Sequence, residues 1–130
     1  GFNADFGRLR PRLERLVPAG ESEDRAARVA VLEGWSGDDG VLLLVRNLRY
    51  DTGIDLETKR RIRPFAVSPI RDYALSYRLP KWLTPDAAVD ALSGERLEGA
   101  ATNGVFKVTV PELGSHRLIW IGNAKKEVGQ

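Results

Sequence analysis

Asp51-Thr52-Gly53 is the stretch of this chain whose residue types and spacing come nearest to chemistry. A carboxylate held in a tight turn, braced by a hydroxyl and closed by a glycine, can share one proton with a second such carboxylate, so that one acts as base and the other as acid. Such a turn needs a second carboxylate beside it and packing around it to be more than a loop. Here Arg49-Tyr50 precede Asp51 and Ile54 follows Gly53, while "IWIGNA" (119–124) is only a faint buttress. The interval between contains "RLPKWLTPDAAVDAL", with no Gly-rich flap to close over a substrate. Asp and Gly are also ordinary turn formers at a strand end. We read the tripeptide as a loop, and no residue of the chain as catalytic.

Other constellations resolve in the same direction. His116 is the only histidine and there is no cysteine, which leaves neither a metal-ligand set nor a thiol nucleophile. Asp38-Asp39-Gly40 lacks the several oxygens that calcium takes and reads as a turn. Glu95 and Glu98, three apart on a strand, fall on opposite faces, where each is expected to be solvated. No metal and no cofactor is expected. Trp120 inside "LIWIG" and the tyrosines of "DYALSYRL" read as packing residues, which leaves Trp35 and Trp82 as the aromatic candidates for stacking on a sugar ring.

These residues must be positioned by strands. A chain of 130 residues, 42% hydrophobic and 29% charged, is the size and texture of one folded domain. "AARVAVLEGW" and "VLLLVRNL" are apolar runs separated by "SGDDG", where Asp39-Gly40 signals a hairpin with Gly supplying a positive φ. Five successive apolar positions, Val41 to Val45, predict a central strand buried on both faces. Short strands follow around 65–67, 72–79, 87–92, 94–100, 104–111 and 115–122. About eight strands at this spacing predict an all-β fold, an antiparallel β-sandwich. Leu9, Leu13, Leu16 and Val17 stand at helical spacing, so a short N-terminal helix over 5–17 is expected, ended by Pro18 and Gly20 and followed by a polar connector. The expected organisation is helix and linker over 1–24, sandwich over 25–122 and a polar tail over 123–130.

The net charge is only +2, and the densest basic cluster, Lys59-Arg60-Arg61 with Arg63, follows directly on Asp55 and Glu57. Nucleic acid is therefore not an expected partner, and no apolar run reaches the roughly 18 residues of a membrane span. The chain opens at Gly1-Phe2-Asn3 and contains no Met, which suggests a piece of a longer protein.

The second half has a recognisable order of hairpins: Asp90-Ala91-Leu92-Ser93-Gly94-Glu95, then Asn103-Gly104, then Val108-Thr109-Val110-Pro111, then Arg117-Leu118-Ile119-Trp120. Over residues 25–122, with "GVLLLVRN" as an early strand and an Arg-rich insert at 57–63 as a departure, it resembles the C-terminal β-sandwich appended to many glycoside hydrolase barrels. The resemblance implies a non-catalytic accessory domain of a carbohydrate-active protein, partnered with the catalytic domain of the same parent chain. It also implies an extracellular or periplasmic setting. Leu9, Leu13 and Leu16 are the expected domain interface, and in an isolated fragment their helix would fold back onto the sandwich or mediate weak self-association. The alternatives are a carbohydrate-binding module acting through Trp35 and Trp82 and, from the enzyme class, a retropepsin-like aspartic protease using Asp51-Thr52-Gly53.

Overall fold

The computed structural model describes residues 16–124, and among these there is no helix. Eleven strands are formed: β1 (Leu16–Asp24), β2 (Val29–Ser36), β3 (Gly40–Asn47), β4 (Tyr50–Asp51), β5 (Ala66–Val67), β6 (Ile70–Arg78), β7 (Pro85–Asp90), β8 (Arg96–Leu97), β9 (Gly99–Thr102), β10 (Val105–Leu113) and β11 (His116–Asn123). They build a six-stranded sheet, β1-β2-β3-β11-β7-β8, a three-stranded sheet, β6-β10-β9, and a small β4-β5 pair. All pairings are antiparallel. The all-β, sandwich-like architecture is therefore the expected one, with more strands than the eight read from the sequence.

The core lies between the two larger sheets. Val41, Leu43 and Val45 of β3 with Ile119 and Ile121 of β11 face Tyr73, Leu75 and Tyr77 of β6 and Phe106, Val108 and Val110 of β10. Each set occupies alternate positions of its strand, the period that puts every second side chain on one face. The tyrosines reach through the layer and keep their hydroxyls bonded: Tyr73 donates to Asp24 at 2.9 Å and Tyr77 donates to Glu33. Burial comes first among the causes that raise both phenols, and the two carboxylate partners add to it; Tyr73 is pushed up to about 12.

Three local expectations are corrected. The polar stretch expected to be a connector is strand: β1 pairs with β2 from Leu16↔Ser36 to Asp24↔Val29, with the register shifting between Pro18 and Gly20. An open edge on β2 offers backbone partners that a polar segment can use, and this outweighs the local helix signal. The expected helix over 5–17 thus loses Leu16 and Val17 to β1, while Leu9 and Leu13 lie outside the described residues. In the β2–β3 turn the positive φ belongs to Gly37 (55°), not to Gly40. Gly40 is required for space, since a Cβ there would come within 2.7 Å of the Trp120 ring and 2.5 Å of the Ile121 carbonyl. Finally, β3 is buried on one face only; Leu42 and Leu44 on the other face are half-buried.

The quoted hairpin motifs have physical roles. Asn103 (φ 52°) and Gly104 (φ 78°) form a two-residue turn with both residues left-handed, the type whose twist matches its flanking strands β9 and β10. Asp90 accepts the N–H groups of Leu92 and Ser93, both at 2.9 Å, and Gly94 (φ 79°) closes the turn into β8. Buried Asp90 also takes a bond from Arg117 at 3.1 Å, and the same guanidinium reaches Glu95 at 3.0 Å, so Glu95 is ion-paired rather than simply solvated. Burial lowers Arg117, but its bonds to Glu95 and Asp90 outweigh this and leave it raised.

Two outcomes follow. Leu43→Ala, at a fully buried site, should cost about 2–5 kcal/mol in chemical denaturation, and Leu44→Ala on the opposite face should cost distinctly less. The raised tyrosines give stability that is complete below the unfolded phenol value of about 10 and is lost as pH rises through the folded values. Urea midpoints should therefore fall on going from neutral pH to alkaline pH, and Tyr77→Phe should flatten that fall.

Candidate functional site

The residues between β3 and β6 form an arm that stands off the sandwich. Its base is the β4–β5 pair, Tyr50↔Val67 and Asp51↔Ala66, and its next rung is a single bridge between Ile54 and Arg61. Inside the arm, the Gly53 carbonyl accepts the N–H groups of Ile62 (2.7 Å) and Arg63 (3.2 Å), and Asp55 and Lys59–Arg60 close the tip through backbone bonds of 2.8 Å. Gly53 (φ 75°) admits no side chain: a Cβ would come within 1.9 Å of the Arg63 carbonyl.

Asp51 holds this arm. Its Oδ1 accepts the Gly53 N–H at 2.8 Å, and its two oxygens receive the Nε and a terminal nitrogen of Arg63 in a forked pair. The hydrogen bond from Arg63, then that from Gly53, holds the carboxyl below its ordinary range, and the same pair raises Arg63. This is the reverse of a proton-sharing dyad, in which one carboxyl must be raised. Thr52 supplies its carbonyl to Arg61 at 2.8 Å. The tripeptide is a structural turn.

At the base of the arm, Asn47 is buried and uses both ends of its amide. Nδ2 donates to the carbonyls of Ser68 (2.7 Å) and Gly114 (2.8 Å), and Oδ1 accepts the Arg49 N–H (2.7 Å). The bond to Arg49 is a local one, but nothing in "LVRNLRY" marks the others; only the fold brings residues 68 and 114 to Asn47.

Between the arm and the outer face of the six-stranded sheet runs a groove of about 630 Å³. Its apolar walls are Leu44 and Leu118 from the sheet and Tyr50, Phe65 and Val67 from the arm; Arg46, Ser115 and His116 lie at its polar side. Tyr50 and Phe65 are stacked, with centroids 6.0 Å apart and planes at 26°. His116 is exposed, with Nδ1 2.9 Å from the Ser115 hydroxyl. No three His, Cys, Asp or Glu side chains come together as a metal set among the described residues.

The groove's sheet wall belongs to a wider apolar face. Leu32, Leu44 and Leu118 lie side by side across β2, β3 and β11, and Leu42, Trp120 and Val89 form the next row across β3, β11 and β7. Trp35 and Trp82, the expected stacking candidates, meet each other edge to face with centroids 5.4 Å apart. Trp35 donates to Glu33 and Trp82 packs against the core, so together they make a corner rather than a flat platform. Of the expected interface residues, Leu16 opens β1, and Leu9 and Leu13 lie outside the described residues.

Because Asp51 is depressed, its contribution to the arm is complete above the unfolded carboxyl value of about 3.9 and is lost as pH falls through the lower folded value. Both partners are solvent-exposed, so the effect is local and weakened by salt. In wild-type protein the arm amides, Ile62 above all, should lose hydrogen-exchange protection in strong acid while the core strands keep theirs. Asp51→Asn should show the loosened arm already at neutral pH, with no change in the core.

No family model and no curated protein matches this sequence. Among solved structures the chain superposes on part of alpha-L-fucosidase isoenzyme 2 from Paenibacillus thiaminolyticus, with a TM-score of 0.57 and 16% sequence identity. The superposition covers 91% of this chain and 16% of that one, so this chain corresponds in length to a small part of that enzyme. At this identity the likeness is one of fold.

Proposed function

We propose that this chain is a non-catalytic accessory domain of a larger carbohydrate-active protein, a glycoside hydrolase, and that it braces the catalytic domain of the same polypeptide. The observation that carries this reading is the superposition of nearly the whole chain on one small part of a fucosidase. The chain's own chemistry agrees with it. Asp51, the residue nearest to a catalytic carboxylate in sequence, is committed to Arg63, and buried Asp90 is committed to its turn and to Arg117. On this reading the reacting carboxylates belong to the neighbouring domain, and this domain's work is to cover apolar surface there. The outer face with Leu32, Leu44 and Leu118 is suited to that, since a sheet face left to solvent is ordinarily polar.

The test is an assay of two proteins against a panel of aryl glycosides: the full-length polypeptide that contains this sequence, and residues 1–130 alone. The full-length protein should hydrolyse at least one substrate, and the isolated chain none. Deleting the domain should lower the melting temperature of what remains. Hydrolysis by residues 1–130, or a full-length polypeptide without a glycosidase domain, would overturn the proposal.

A further inference from the structure

The large apolar side chains that this domain leaves in water are not scattered. Seven are exposed among the described residues, and five of them, Tyr50, Ile54, Leu56, Ile62 and Phe65, lie in the arm. Leu56 is 83% exposed, Ile62 58% and Phe65 57%. Exposed apolar residues on a floppy loop would carry little meaning. Here the backbone beneath them is fixed by the Gly53 carbonyl, by the Asp51–Arg63 pair and by the Asn47 amide at the base. A segment that spends its hydrogen bonds on holding apolar side chains outward is already ordered for contact, which removes much of the entropic cost of association.

Charge narrows what it can meet. Arg46, Lys59 and Arg60 enter no ion pair among the described residues, and they flank the apolar groups. Residues 49–65 carry five cations (Arg49, Lys59, Arg60, Arg61, Arg63) against three acids (Asp51, Asp55, Glu57). Two copies meeting arm to arm would bring like charge together, whereas an apolar patch rimmed by carboxylates would match it. We propose that the arm, residues 49–67, is the element by which this domain docks on an acid-rimmed apolar surface of the neighbouring domain in its own polypeptide. This rests on the accessory-domain reading above. It moves the interface away from Leu9, Leu13 and Leu16.

A zero-length carbodiimide cross-linker tests it, because it joins a lysine only to a carboxylate in direct contact, and Lys59 is the one lysine of the arm. In the full-length protein Lys59 should be joined to an Asp or Glu outside residues 1–130. The arm amides should also exchange more slowly there than in the isolated chain. The cross-link should be lost in Leu56→Ser/Ile62→Ser, whose core amide spectrum should be unchanged, and retained in Lys107→Ser at an exposed position of β10 on the other sheet. Joining of Lys59 to Asp5 or Glu14, joining to a second copy in an isotope-mixed sample, or no cross-link with equal exchange in both proteins would each overturn the inference. A glycosidase domain docked on another face would sink this inference alone; absence of such a domain would sink the accessory-domain reading with it.

Discussion

The buried amide of Asn47 fixes where the two parts of this molecule meet. It sits at the end of β3, on the inner side of the sheet, and ties together the start of the arm at Arg49, its end at Ser68 and the β10–β11 turn at Gly114. A buried amide with partners on both sides contributes modestly, but leaving those partners unmet costs about 1–3 kcal/mol for each group. An apolar residue there would strand the Ser68 and Gly114 carbonyls and the Arg49 N–H at once. Neither the sandwich core nor the arm's own bonds could then hold the groove between them in its present shape.

The sandwich and the arm are stabilised by different physics. The sandwich is held by apolar burial between two sheets, with the tyrosine hydroxyls and the Asp90–Arg117–Glu95 group satisfying the polar atoms at its margins. The arm buries almost nothing and depends on turn geometry, on the left-handed residues Gly53 and Lys59, and on one forked ion pair. An element of this kind is inexpensive to loosen and would gain most from being covered. That contrast explains why its apolar residues can remain exposed without belonging to the core.

The fold class was legible because alternation in β6 and β10 is a direct consequence of strand geometry, and because Asn103-Gly104 and the Asp90–Glu95 turn have local signatures. What was not legible depends on distant pairing. β1 is polar, and becomes a strand only because β2 leaves it an edge. Gly40 looked like a turn glycine, and its actual constraint is the Trp120 ring that folds over it from β11. Val41 to Val45 correctly announced β3, but continuous apolarity could not separate burial within one domain from burial against a second layer. The same ambiguity applies to the outer sheet face and the arm. Leu42 and Leu44 read as core, and the exposed Leu56, Ile62 and Phe65 had no period from which a role could be read.

The docking proposed for the arm requires order before contact as well as exposure. Backbone ¹⁵N relaxation on the isolated chain measures the first of these directly. Order parameters of about 0.85 are expected across residues 50–65, the level of a rigid backbone, with the Leu56 and Ile62 amides matching those of β3 and β11. Values below about 0.6 through that stretch would show a flexible loop and contradict the proposed docking.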